Sequence, residues 1–405
     1  MKLLNVTDCL LAYPGYRSSL ERRYPELAAK DYAEQHSVID RDHLVWANAS
    51  CQSMGVFGYE VLNVDRSLAS IQYAWASERG IDPTKTTPND LVLKQALEFK
   101  PEVVVYDAED RALLVRLREE VKTLRLVIGR AGSRLSPGRC WELMDVLITC
   151  APESVEALES LGVRAKHIHH GFDHRILEDL SDSRRRIRVS AVGSIVRRSG
   201  FHLEREQVLE EVSRSLPLEI YSPAAETGAR DWMKSIAAGI TYGGLWGLKR
   251  GGIYPLVKDV PLVAQLQRVA SPLRAPTNAR LAKLCRPPVF GLEYFQILRD
   301  SVVSLNTHAD TSPRFASNLR LFEATGVGSC LLTDWKDNIR ELFEPDCEIV
   351  TYRTAKEAAA KAQWLDENPD EAQKIGLAAM RRTATAHGYL HRAAELHDLI
   401  LGELR

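Results

Sequence analysis

Ser312-Pro-Arg-Phe-Ala-Ser-Asn-Leu-Arg-Leu-Phe-Glu-Ala-Thr-Gly-Val-Gly-Ser-Cys-Leu-Leu-Thr-Asp334 holds the clearest passage from loop to helix to strand in the chain. Ser317 is the residue type that caps a helix, Leu319, Leu321 and Phe322 supply an apolar face, and Gly326 and Gly328 end the helix before the apolar run Cys330–Leu332. A short helix that follows a loop at the rim of a parallel sheet offers unpaired amides and a positive dipole end, which suit phosphate. Ser317, Asn318 and Leu319 would provide those amides. Arg320 and Glu323, three apart, share one helical face. Together they fit a nucleoside diphosphate, the guanidinium on phosphate oxygens and the carboxylate on ribose hydroxyls. The same spacing also fits an ordinary surface ion pair that contributes little.

Outward from this segment, strand-like runs alternate with helical ones. Lys2–Val6, Tyr59–Val64, Glu102–Tyr106, Arg125–Ile128 and Asp145–Thr149 read as strands in the first half; Ile187–Val192, Pro217–Tyr221, Ser301–Leu305, Cys330–Leu332 and Glu348–Thr351 read as strands in the second. Such alternation predicts an α/β protein with two doubly wound parallel sheets. The expected division is an N-terminal domain over 1–180, rejoined by a last helix within 387–405, and a C-terminal domain over 181–386. Ser181-Asp-Ser-Arg-Arg-Arg-Ile-Arg188 reads as a polar, basic linker between them. The least legible part runs from Ala224 to Pro288, where paired glycines and prolines predict loops and short helices.

A chain of 405 residues with 45% hydrophobic and 26% charged residues can build two cores, and its formal net charge of -1 gives no reason to expect nucleic acid as a partner. The seven cysteines are scattered without a C-x-x-C pair, which argues against a disulfide framework and a zinc site and for a reducing, cytoplasmic setting. Nothing near Met1 has a signal-peptide pattern and no apolar run approaches a membrane span. Any membrane contact is therefore expected to be peripheral, at the inner face. No G-x-G-x-x-G and no P-loop occurs, which counts against nicotinamide enzymes and kinase-like NTPases.

Other candidate groups follow from position. His36, within Asp31-Tyr-Ala-Glu-Gln-His36, has carboxylates nearby to orient it as a general base, although a solvated helix face would look the same. Asp107 and Glu109 follow a strand, where parallel sheets place ligands, so Asp107 is a second candidate base or acceptor contact. Tyr13, Gly15 and Arg17 lie in the loop after the first strand, and Trp246 and Lys249 are possible acceptor contacts. Gly193 and Ser194 allow close backbone approach, and Arg197 or Arg198 can reach phosphates; His202 and Arg205 open the next helix beside them. The four histidines of Lys166–His174 have poor spacing for a metal, and none is expected.

The segment from Pro288 onward, through Val289-Phe-Gly-Leu-Glu-Tyr-Phe295, Ser304-Leu-Asn-Thr-His308, Asn318-Leu-Arg-Leu-Phe-Glu-Ala-Thr-Gly326 and Leu331-Leu-Thr-Asp334, resembles the CgeB-like glycosyltransferases of the GT-B fold. The likeness continues through Val192-Gly-Ser-Ile195, His202-x-x-Arg205 and His170-Gly-Phe-Asp173. This resemblance implies two Rossmann-like domains facing a cleft, a nucleotide-diphosphate sugar donor bound by Gly193, Ser194, Arg197, Arg198, Arg205, Ser317, Asn318, Leu319, Arg320 and Glu323, and a glycan or lipid-linked acceptor on the N-terminal side. Related retaining enzymes carry a Glu-x7-Glu motif; Glu323 matches its second position, and Phe315 stands at the first. The implied activity is sugar transfer in bacterial surface polysaccharide or related glycoconjugate synthesis, metal-independent and leaning to retention, with Arg320, Asp107 and His36 as the catalytic candidates. No cofactor is expected beyond the donor substrate. A sugar-nucleotide epimerase, a phosphosugar transferase and a non-catalytic glycan-binding module are the rival readings.

Overall fold

A computed structural model describes residues 1–13, 15–44, 46–132, 140–183, 185–195, 202–226, 228–257, 263, 278–310 and 312–405. The candidates Arg197 and Arg198 lie outside these residues.

Two all-parallel sheets organise the described chain. The first contains β1 (Lys2–Thr7), β2 (Glu60–Asp65), β3 (Val103–Asp107), β4 (Leu126–Ala131), β5 (Val146–Thr149) and β6 (Ala165–His167), in the order β2-β1-β3-β4-β5-β6. The second contains β7 (Ile187–Val192), β8 (Leu218–Tyr221), β9 (Cys285–Arg286), β10 (Ser301–Leu305), β11 (Cys330–Asp334) and β12 (Val350–Tyr352), in the order β12-β11-β10-β7-β8-β9. Strands such as Val103-Val-Val-Tyr106 and Cys330-Leu-Leu332 are apolar on both faces because helices cover both sides of each sheet. The order reverses between β1 and β3 in the first sheet and between β7 and β10 in the second. Ligands of open α/β sheets bind at such reversals, beyond the carboxyl ends of the strands.

The chain crosses between the sheets twice, and the crossings lie side by side. Phe172 donates its amide to the His387 carbonyl at 2.9 Å, and Tyr389 donates to the Phe172 carbonyl at 3.1 Å. Gly171 and Gly326 let these segments close up: a Cβ at Gly326 would overlap the Phe172 ring, and one at Gly171 would come within 3.1 Å of the Gly388 backbone. After the second crossing, helix Tyr389–Leu404 lies on the first sheet, where Ala393, Leu396 and Ile400 share a core with Leu3, Val103 and Ile128.

The basic run that leads into β7 is tied down at two of its arginines, while residues 181–183 and Arg186 are exposed. Arg185 donates to the carbonyls of Ser301 at 3.0 Å and Gly328 at 2.5 Å, and Arg188 pairs with Asp366. These side chains fasten the start of β7, Arg185 to its own sheet and Arg188 to helix Ala355–Glu367. Their pairing partners lie more than a hundred residues away, so charge density alone could not reveal this role.

Candidate active site

A cleft of about 920 Å³ lies between the sheets, the size of a small-molecule site. Its walls are the loops that leave both reversal points. Gly193 and Ser194 follow β7, Asn306 and Thr307 follow β10, and residues 317–320 lead into helix Arg320–Gly326. Tyr13, Trp46, Glu109 and His170 line the opposite wall.

On the second-sheet wall, two guanidiniums converge on Gly193. A Cβ at this glycine would stand 3.6 Å from Arg205 Nη1 and 3.9 Å from Arg320 Nη2, and its φ of +145° is one that side-chain-bearing residues rarely adopt. Arg205 is held by carbonyls: Nη1 donates to Ser194 at 2.8 Å and Nη2 to Thr307 at 2.7 Å. Burial, and then the neighbouring Arg320, bring its pKa down to about 10. Arg320 donates to the Val192 carbonyl at 2.5 Å and stacks over the Tyr294 ring at 4.7 Å. Its Nε, 3.6 Å from a Glu323 carboxylate oxygen, is buried without a hydrogen bond. Two like charges facing one glycine loop and held mainly by carbonyls are an arrangement that can receive an anion.

Glu323 lines the same cleft, and its side chain is 14% exposed. Tyr294 Oη donates to its Oε2 at 2.5 Å. Burial raises its pKa, while Arg320 and Tyr294 oppose that rise. Across the cleft, burial and then the carboxylates of Glu323 and Asp107 push the Tyr13 phenol upward. The Arg320–Glu323 pair is thus a part-buried cleft pair, not a solvated one.

Ser317 departs from its expected role. The helix begins at Arg320 with Leu319 at the N-cap and no side-chain cap, and Ser317 Oγ pairs with Ser312 Oγ at 2.9 Å. The 312–317 turn spends this hydroxyl on its own closure. Asn318 is also engaged: its Nδ2 donates to Asn306 Oδ1 at 2.9 Å, and Asn306 donates to Thr333 Oγ1 at 2.9 Å. Ser317, Asn318 and Leu319 nevertheless all line the cleft. Phe315 is not part of the lining, so no acidic group replaces the missing first glutamate there.

The His308 and Asp334 motifs prove to be scaffolding beneath this wall. Asp334 accepts from the His308 amide at 2.9 Å and pairs with His308 Nδ1 at 2.8 Å, and Lys336 Nζ lies 3.1 Å from its other oxygen. Burial would push this carboxyl up, but His308 and Lys336 outweigh it and hold it well below the ordinary carboxylate range. The arrangement ties the loop after β10 to the end of β11, which sets the Thr307 carbonyl against Arg205.

On the first-sheet wall, Asp107 at the end of β3 sits in a recess of about 170 Å³ with Arg130 and Trp141. Glu109 and Gly132 line both this recess and the main cleft, so the two adjoin. Desolvation raises Asp107 to a pKa of about 6, against the lowering effect of Arg130. Arg130 stacks over Trp46 at 4.7 Å, and Trp46 meets His170 edge-on at 4.6 Å. Burial, then Arg130 and Arg392, lower His170 to about 3, so its imidazole is neutral. Arg130 and Trp46 escaped the sequence reading, although the position of Arg130 near the carboxyl end of β4 was available as a signal.

His36 does not reach the cleft. Its helix, Tyr32–Arg41, packs beside the edge strand β2, and His36 Nε2 pairs with the Asn63 carbonyl at 3.2 Å. The sequence set carboxylates near this histidine, but the helix turns it toward the sheet edge, which removes it as the general base. Trp246 and Lys249 are likewise absent from the cleft: Trp246 is 52% exposed on helix Ala229–Arg250, and Lys249 lies over the Tyr254 ring. Among the described residues no group of three or more histidine, cysteine or acidic side chains is placed to hold a metal ion.

Residues 271–398 match the family model described as "Glycosyl transferase-like". No curated protein sequence matches the chain significantly. Among solved structures, the chain is similar to Anabaena HepE in complex with UDP-glucose, with 13% identity, a TM-score of 0.55, and 99% of this chain and 100% of that one covered. It is also similar to a glycosyltransferase from Rickettsia africae, with 10% identity, a TM-score of 0.53, and 100% and 98% covered. Sucrose-phosphate synthase from Thermosynechococcus elongatus aligns with 10% identity, a TM-score of 0.50, and 99% and 98% covered. With its two facing parallel sheets, the chain therefore has the GT-B fold of glycosyltransferases and carries a glycosyl transferase-like segment over residues 271–398.

Proposed function

We propose that the protein transfers a sugar from a nucleotide-diphosphate sugar to a hydroxyl of a glycan or lipid-linked acceptor, as in surface polysaccharide or related glycoconjugate synthesis. The observation that carries this reading is the convergence of Arg205 and Arg320 on Gly193, with Glu323 one helical turn from Arg320, in one cleft. The C-terminal sheet, residues 181–386, holds the donor, and the N-terminal sheet, residues 1–180 with the returning helix 387–405, presents the acceptor. Two complexes of the similar HepE contain UDP-glucose, or UDP and glucose, which supports a uridine nucleotide as the first donor to test.

The diphosphate lies against the Gly193–Ser194 loop, where the missing side chain leaves room for its oxygens and both guanidiniums meet them. Glu323 accepts hydrogen bonds from the ribose hydroxyls, taking over the role that Tyr294 fills with its phenol. As the glycosidic bond breaks, negative charge grows on the departing diphosphate, and the two fixed cations stabilise it without reorganisation. They thus supply the positive charge that a metal supplies in other transferases. Asp107, with its carboxyl near pKa 6, takes the acceptor's proton. Phe315 offers no second carboxylate at the donor sugar, so the proton-accepting group lies on the acceptor wall. The anomeric configuration of the product, read by NMR, tests this assignment: inversion agrees with Asp107 as base, and retention removes it.

Thermal melting with UDP, GDP and their sugar conjugates tests the reading as a whole. A bound ligand raises the midpoint in proportion to the logarithm of its concentration over Kd. Arg320→Ala should abolish the rise while the unliganded protein melts as before. A parent protein indifferent to every nucleoside diphosphate would overturn the proposal.

A further inference from the structure

Between β8 and β9 the chain leaves the second sheet at Tyr221 and returns at Cys285. Both ends of this excursion are at the cleft: Tyr221 and Pro223 line it on the way out, and Pro288 to Gly291 line it on the way back. The excursion contains Ala229–Arg250, 22 residues long and the longest helix among the described residues.

This helix turns the usual packing preference around. Its buried positions are Ala238 and Leu245, seven apart and so on one face. The opposite face carries Trp232, Ile236 and Ile240 at four-residue spacing, exposed by 46%, 48% and 72%, with Met233 beside them at 63%. Gly243 and Gly247 continue that face, and a Cβ at either would meet nothing within 4 Å. A helix serving only the interior would bury the tryptophan and isoleucines and expose the alanine.

Its charge is one-sided as well. Arg230, Lys234, Lys249 and Arg250 are set against a single acid, Asp231. Arg250 stacks over Trp246 at 5.0 Å, which places a cation and an indole together at the helix end. Apolar residues on one face, tryptophans toward both ends and cations at the flanks are the pattern of a helix lying in a lipid headgroup layer. Two copies of the chain pressed together on this face would bring their own cations together with only Asp231 of each helix to offset them. An anionic partner has no such penalty.

We propose that helix Ala229–Arg250 docks the protein on an anionic lipid bilayer through its Trp232, Ile236 and Ile240 face. Because the excursion starts and ends at the cleft rim, docking holds the cleft next to the membrane surface, within reach of a lipid-linked acceptor. That purpose rests on the transferase reading; the docking itself rests on the helix alone.

The test uses the full chain and flotation with vesicles of phosphatidylcholine, with or without phosphatidylglycerol. The parent should float with the anionic vesicles, bind the neutral ones about tenfold or more weakly, and be released by high salt. The double variant Ile236→Glu, Ile240→Glu should lose about tenfold or more of the anionic binding. Its melting point and its response to UDP should stay those of the parent, since both positions are exposed. Failure of the parent to float, or flotation indifferent to the double variant, overturns the proposal. So does a dimer in sedimentation equilibrium that the double variant dissolves, in a parent without vesicle affinity. Flotation is read without donor or acceptor, so a parent that floats but ignores every nucleotide defeats the transferase reading and leaves the docking intact.

Discussion

At the end of β7 the cleft wall holds Arg205 and Arg320 around Gly193, whereas at the end of β3, on the facing sheet, it holds Glu109, with Asp107 in the adjoining recess. Both places are strand-order reversals in parallel sheets; Arg205, Arg320 and Asp107 are partly buried, whereas Glu109 is exposed. They differ in sign and in how the charges are satisfied. The arginines are fixed by backbone carbonyls, which orient them without neutralising them. Asp107 is opposed by Arg130 yet still rises to about 6, because desolvation outweighs that cation. One fold therefore sets a cationic wall against a wall with an acidic recess, and the charge state of each is set by what surrounds it.

The strongest way to break this contrast is to remove a cation. Arg320→Ala should lower kcat by about 100- to 1000-fold with the fold retained by circular dichroism, as loss of one donor to a developing negative charge does elsewhere. Turnover near the parent level would end the anion role of this wall. On the other wall, Asp107→Asn should lower kcat by about 100-fold and remove the acidic limb of the pH profile, which for the parent should rise through about pH 6.

Asp107 also makes a stability prediction of definite sign. Its folded pKa of about 6 lies above the ordinary 3.8, so the fold favours the protonated form. The stability this contributes is present below pH 4 and is lost as pH rises through 6. Melting points of the parent relative to Asp107→Asn should therefore fall across that window, and parallel curves would show that the carboxyl is not perturbed.

Smaller effects sharpen the comparison. Glu323→Ala should raise the Kd for a nucleoside diphosphate about tenfold in calorimetry, the scale of a charged hydrogen bond, and should leave Asp107 titration unchanged. Gly326→Ala should act on neither wall but on the crossing between them. The added methyl meets the Phe172 ring, so the melting point should drop by several degrees, equivalent to about 1–3 kcal/mol of overpacking. An unchanged melting point would mean that the crossing has slack.

Parts of this arrangement were open to the sequence and parts were not, for identifiable reasons. The strands were legible because a buried parallel strand must be an apolar run, and Val103-Val-Val-Tyr106 or Cys330-Leu-Leu332 has no other use. Arg320 and Glu323 were legible as a pair because helical spacing brings residues three apart together. Ser317 misled because a capping residue type stood two positions before the true N-cap, and a neighbouring serine claimed its hydroxyl. His36 misled because its local carboxylates were real, while the direction its helix faces depends on β2. Helix Ala229–Arg250 was hidden because its glycines break the apolar period and its exposed face copies no core pattern.

The amino-acid order by itself determined most of the strand segments, the short edge strands β6 and β9 excepted, and that a cation and an acid share the short helix after Asn318, since these depend on neighbours a few residues away. Only the folded chain decided that Arg205, Arg320 and Gly193 meet, that Asp107 loses its water, and that Arg185, just before β7, is held by carbonyls of its own sheet. Those outcomes depend on approaches between residues tens to hundreds of positions apart, and the energy of a buried charge is set by that distant company.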